Sequence, residues 1–157
     1  MTNYMSRSLP LAVQLKLLQR RFPEGEGSIV RSQLTWHQWI RPHALAHRYQ
    51  CRLRHKLDEY PTVHCLKPAL SVLAPGRELP HVYTRVEPIC LCLFRRGREC
   101  WSNEMNLANV VVPLTFFWLA EFEEWLYSGI WRGGGTHEIK PEPPTAMPVF
   151  PEDRLAA

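Results

Sequence analysis

Hydrophobic and polar positions change period along the chain, and each change predicts an element. From Ser8 to Arg21, Leu11, Leu15 and Leu18, followed by Phe22, recur at spacings of three and four, the apolar stripe of a helix. Ser8 is its expected cap, and Pro10 suits the first turn, where a missing N–H costs nothing. The stretch "PEGEG" then ends it. In "SIVRSQLTWHQWI", residues 28–40, Val30, Leu34, Trp36 and Ile40 share one parity and predict a single strand. "HRYQCRLRHKL", residues 47–57, alternates more cleanly. Tyr49, Cys51, Leu53 and Leu57 fall on one face, and Arg48, Gln50, Arg52, Arg54 and Lys56 on the other. "DEYP" makes a turn, and "TVHCLKPALSVL" predicts a further strand closed or bent by Pro68. "APGRELPHVYT" adds a turn and a short extended piece, completing an antiparallel, four-stranded meander.

Helical spacing returns at Leu107, Val110, Val111, Leu114, Phe117, Trp118, Phe122 and Trp125. This long helix is expected to start near Asn106 or kink at Pro113, and to stop at Gly129. Trp118, Phe122 and Trp125 should share one face. Trp118 and Phe122 are expected against the sheet, while the Trp125–Trp131 region covers one side of the fold. The class is therefore α+β: an N-terminal helix, a meander, an irregular segment and a long C-terminal helix. "GGG" at 133–135 reads as a hinge, and the proline-rich 138–157 as a tail outside a domain spanning 1–137.

Composition narrows this picture. With 157 residues, 45% of them hydrophobic, one domain with a real core is expected. No apolar run is long enough to span a membrane, and Gln14 and Lys16 interrupt the N-terminal run that a signal peptide would need. Five cysteines without framework spacing fit a reducing, cytoplasmic setting. The net charge of +4 is modest, so the Arg48–Lys56 stripe reads as the wet face of a sheet rather than a nucleic-acid surface.

Candidate chemistry concentrates in "PICLCLFRRGRECW", residues 88–101, which holds Cys90, Cys92 and Cys100. With His81 they could supply four zinc ligands, but a one-residue gap inside an apolar run is poor zinc spacing, so neither a metal nor another cofactor is expected. Cys51 and Cys65 sit in strand patterns that predict burial. A reactive thiol remains open in the 88–101 segment, where Arg95, Arg96 and Arg98 would favour a thiolate.

The ordered set Pro80-His81-x-Tyr83, Leu91-Cys92-Leu93-Phe94, Trp101 nine residues after Cys92, and "WLAEFEEWLYSGIW" followed by "GGG" and His137 spans about half the chain. It resembles the bacterial ubiquitin-conjugating-enzyme-like proteins (UBC-like fold) of short type II CBASS anti-phage operons. The resemblance implies a transferase whose cysteine accepts, as a thioester, the C-terminus of a partner, the CD-NTase (a cGAS-like cyclic-nucleotide synthase), for passage to an acceptor protein. By motif position the nucleophile is Cys92. A competing alignment on Ile89-Cys90-Leu91 selects Cys90, and the tryptophan spacing favours Cys92. His-Val-Tyr stands where eukaryotic relatives carry His-Pro-Asn, and "TRVEP" replaces the family's usual glycine. The oxyanion donor would then be a backbone N–H, His81 or Asn103, with a structural role for His81 the alternative. No activating-enzyme domain is expected, so either an activating enzyme acts from outside or the partner is loaded by a route the sequence does not show. Two rival functions stay open: a non-catalytic docking module for the CD-NTase, and a nucleic-acid-binding protein using the basic face.

Overall fold

In the computed structural model, residues 8–94 and 101–133 are described. Helix α1, Leu11–Arg21, leads into a sheet of five strands: β1 Glu26–Val30, β2 Gln33–Ile40, β3 Tyr49–His55, β4 Thr62–Lys67 and β5 Ile89–Cys90. They lie in chain order, and every neighbouring pair is antiparallel. A single turn of helix, α2 at Leu70–Leu73, follows β4, and the long helix α3 spans Val111–Ser128. The α+β class and the antiparallel meander are as expected, with five strands where four were expected; the short extended piece at 74–84 forms only the Val82–Leu91 bridge, and β5 lies instead in the segment expected to be irregular.

The extra strand comes from a hairpin where one continuous strand was expected. Arg31 and Ser32 both take positive φ, 49° and 60°, and form a two-residue loop closed by the Val30–Gln33 pair. Such a turn matches the twist of the flanking strands but normally calls for Asn-Gly, so Arg-Ser carries no signal for it. Its consequence is that Val30 is exposed, while Leu34, Trp36, Gln38 and Ile40 face the core. Gln38 is buried without penalty because its side-chain oxygen accepts the Trp36 indole N–H at 3.0 Å. A Cβ at Gly25 or Gly27 would run into the Trp36 ring, so these glycines let β1 cross it closely.

On β3 the core row is Tyr49, Cys51, Leu53 and His55, whereas Leu57 lies beyond the strand and is exposed. Cys51 pairs with Cys65 across β3 and β4, and both thiols are free and buried. The Cys65 thiol is pushed well up, first by its hydrogen bond with Cys51 and then by burial, so these two are inert packing residues.

Helix α1 starts at Leu11 with Pro10 before it and no side-chain cap, so Ser8 does not serve as one. Its buried residues include Gln14, whose amide donates to the Met105 carbonyl at 2.7 Å and accepts the Leu107 N–H at 2.9 Å. This fastens the segment leading into α3 onto α1. Helix α3 begins at Val111, later than Asn106, because Asn106 is occupied in a turn that accepts the Ala108 N–H. Pro113 then sits in the first turn, where no helical bond is lost. Gly129, left-handed at φ 72°, stops the helix as expected.

Trp118, Phe122 and Trp125 do share a face, with neighbouring rings 5.4 and 5.8 Å apart. Trp125 is nonetheless a core residue, 1% exposed, which corrects its placement at the rim. Arg77 explains how it stays buried so near a helix end. Its guanidinium lies 3.8 Å over the Trp125 ring and donates to the carbonyls of Trp125 and Leu126, capping the helix. Phe117, by contrast, is 69% exposed and belongs to the outer face of α3.

Candidate functional site

Strand β5 is short, and the chain around it is bonded along both edges. On one side His64 pairs with Cys90 and Cys65 with Ile89, and the Leu91 N–H reaches the Val63 carbonyl at 2.9 Å. On the other, residues 81–84 fold back along it. Tyr83 N–H donates to Cys90 O at 2.9 Å, Cys90 N–H to Thr84 Oγ1 at 2.9 Å, and Cys92 N–H to His81 O at 3.0 Å. The backbone carrying the two cysteines is thus bonded from both flanks.

Alternation puts Cys90 and Cys92 on one face, opposite Ile89 and Leu91, so their environments differ by position along the strand and not by face. Ile89 and Leu91 point into the core. Cys90 is also buried, at 5% exposure, and burial pushes its thiol up, with the neighbouring Cys92 adding to the shift. Cys92 lies just past the pairing and is half-buried. Its Sγ donates to the Phe94 carbonyl at 3.6 Å, and the Tyr83 hydroxyl donates to that same oxygen at 3.3 Å. Phe94 is in turn packed against Trp101 and Tyr60. Residues 95–100, with Arg95, Arg96, Arg98 and Cys100, lie outside the described residues.

His81 meets this segment through its backbone. Its carbonyl accepts both the Cys92 N–H and, at 2.9 Å, the Trp118 indole N–H, which ties the cysteine segment to α3. Its φ is 50°, a left-handed conformation that costs a residue with a side chain about 1 kcal/mol or more and that clusters at functional sites. Its ring packs on Trp131, 5.0 Å between centroids.

A family of known proteins has a model that matches this chain over residues 14–138: type II CBASS E2 protein. The match takes in most of α1, the whole sheet, His81, Cys90, Cys92 and α3. The chain belongs to that family. It therefore has an E2-like role in type II CBASS, an antiviral defence. No curated protein was found to match it.

In this CBASS E2 protein Asn103, also singled out by sequence, has a partner of its own. Asn103 is engaged at both ends of its amide by Asp58 in the β3–β4 turn, accepting the Asp58 N–H at 3.1 Å and donating to its carboxylate at 2.7 Å. Among the described residues no group of three or more His, Cys, Asp or Glu is arranged to hold a metal ion. No helix among them is long and apolar enough to cross a membrane.

One polar cluster escaped sequence reasoning. Glu123, 1% exposed on α3, accepts from the His47 backbone N–H at 2.9 Å, His47 Nδ1 at 2.7 Å and the Tyr49 hydroxyl at 2.6 Å. Burial pushes the Glu123 carboxyl up, but the hydrogen bonds from His47 and Tyr49 outweigh it and hold the group below its ordinary value. "EFEEW" reads as the wet side of a helix, and the partners lie 74 and 76 residues away, so local pattern carries no hint of them. The cluster anchors α3 on β3 one turn beyond Trp118, and so fixes the helix that holds the His81 carbonyl.

Proposed function

We propose that Cys92 of this CBASS E2 protein forms a thioester with the C-terminus of the CD-NTase and promotes its conjugation to an acceptor, as a ubiquitin-conjugating-enzyme-like transferase with a UBC-like fold. The observation that carries this reading is the contrast between the two cysteines. Cys90 is buried with a raised thiol, whereas Cys92 is half-buried at the end of a strand braced on both sides. A nucleophile needs access and a fixed backbone, and among the described cysteines Cys92 combines them.

In the first step the Cys92 sulfur attacks the carbonyl carbon of a C-terminus activated by an outside enzyme, and the activating group leaves. In the second, an acceptor nucleophile attacks the thioester carbon and Cys92 departs as a thiolate. A thioester serves because it keeps the carboxyl activated between the steps. His81 acts as a positioning residue through its carbonyl, which supports the structural alternative over a side-chain oxyanion role. The conjugating domain is 1–137 with 138–157 as a tail, in a cytoplasmic setting.

Coexpression with the CD-NTase tests this. Cys92→Ala abolishes a thiol-labile adduct, and Cys90→Ala retains it. The reverse pattern moves the nucleophile to Cys90, an adduct surviving in both variants refutes the assignment to either, and a wild type with no thiol-labile adduct leaves the protein a docking module.

A further inference from the structure

Alternation along the five strands leaves one face of the sheet without helices from the core, and its registers line up charge. One row runs Glu26, His37, Arg52, His64, Cys90 across all five strands, and the next runs Ser28, Thr35, Arg54, Thr62. Arg52 and Arg54 are successive outward positions of β3, about 7 Å apart. Among the described residues no carboxylate pairs with either guanidinium. Arg52 Nε and His64 Nδ1 are moreover buried there without a hydrogen-bond partner. Burial first, and then Arg54, pushes the Arg52 guanidinium down, and His64 is pushed down by burial and by both arginines. The two guanidiniums crowd positive charge beside a neutral His64, and Glu26, the acidic member of the row, stands two strands away on β1, a condition an oxyanion relieves.

The occupant follows from what stands beside the charge. Trp39 is 44% exposed on the same face, with the Arg48 guanidinium 5.0 Å from its ring. Thr35, Thr62 and Gln50 fill the neighbouring outward positions, so a folded protein finds little apolar surface to bury there. A flat basic face with planar side chains suits an extended strand with accessible bases, as on other sheet platforms. We propose that the outer face of the sheet, centred on Arg52, Arg54 and His64, binds single-stranded nucleic acid, with the guanidiniums on backbone phosphates and Trp39 stacking on a base. The sequence alone shows only an alternating basic stripe, which any wet sheet face could carry. The register across strands, the orphaned donors and the lack of a described carboxylate partner are what single it out.

The test is fluorescence anisotropy of a labelled 20-nucleotide oligo-uridine titrated with the full chain over a salt series. Affinity falls with salt, and Arg52→Gln/Arg54→Gln lowers the log–log slope by about 1.4, about 0.7 for each phosphate no longer neutralised. Trp39→Ala weakens binding about tenfold. Lys16→Gln/Arg20→Gln on α1 removes the same charge and leaves affinity and slope unchanged. Melting curves confirm folding, and if the double variant is unfolded, the exposed Arg54→Gln alone decides, with a slope change of about 0.7. Absence of binding at low salt, equal weakening by the α1 variant, or displacement of the oligonucleotide by polyglutamate at matched charge overturns the proposal. The last outcome would assign the face to an acidic polypeptide.

Discussion

Replacing Glu123 is the sharpest probe of how the site is held in place. Glu123→Ala removes the acceptor of three hydrogen bonds at once, leaving the His47 N–H, His47 Nδ1 and the Tyr49 hydroxyl in a site with almost no solvent access. Each bond to a charged acceptor is worth about 1.5–3 kcal/mol, but bonds sharing one carboxylate are not additive. Removing one member of a buried charged cluster costs about 3–5 kcal/mol, which is the expected loss. Against a typical stability of about 5–15 kcal/mol the variant remains folded at 25 °C, with its urea midpoint lowered by about 2 M. Glu123→Gln keeps an acceptor oxygen and loses about 1–2 kcal/mol. The pH dependence has a definite sign. Because the folded-state value is depressed, the advantage of wild type over Glu123→Gln is fully present above the ordinary carboxyl range near 4.5 and is lost as pH falls through the lower folded value. Urea unfolding followed by tryptophan fluorescence at pH 7 and between pH 3 and 5 measures both. A Glu123→Ala stability within about 0.5 kcal/mol of wild type, or a Glu123→Gln difference that is unchanged at pH 3, refutes the charged, hydrogen-bonded Glu123.

Other outcomes are equally specific. Alkylation by N-ethylmaleimide at pH 7.5, followed by peptide sequencing, modifies Cys92 before Cys90, Cys51 and Cys65, since burial raises the Cys90 thiol, the hydrogen bond with Cys51 and then burial raise the Cys65 thiol, and Cys51 is covered. Equal rates at Cys90 and Cys92 would remove the distinction on which the proposed nucleophile rests. Trp125→Ala costs about 3–5 kcal/mol in urea unfolding because its ring is core and its neighbour Arg77 loses its stacking surface, whereas a rim residue would cost under about 1. Deleting 138–157 leaves a cooperative melt and a domain that still loads its cysteine; aggregation would put the tail in the core. Elemental analysis of the purified protein finds no stoichiometric zinc, and a chelator-removable metal whose loss unfolds the chain would contradict this.

What the sequence made legible depended on whether the physics was local. The clean alternation of 47–57 and the three-four spacing of α1 and α3 announce themselves, because period and burial coincide. The β1–β2 hairpin was hidden because its turn is built from Arg-Ser in place of the residues that favour positive φ. Gln14, Gln38 and Glu123 look like surface residues by type. Each is buried because a partner distant in sequence, or two positions along the strand for Gln38, satisfies it. At the candidate site, the cysteines, His81 and the tryptophan pattern were visible as motif. The double role of the His81 carbonyl was not, since a backbone acceptor leaves no trace in residue type.

The central claim is that Cys92 carries the acyl group, and intact mass measures it most directly. The protein is purified from cells that also make the CD-NTase and the enzyme that activates it, and weighed with and without reducing thiol, as wild type, Cys90→Ala and Cys92→Ala. The account predicts a mass increase equal to the partner less one water in wild type and Cys90→Ala, removed by thiol, and none in Cys92→Ala. An adduct that persists in Cys92→Ala, or that is lost only in Cys90→Ala, contradicts it.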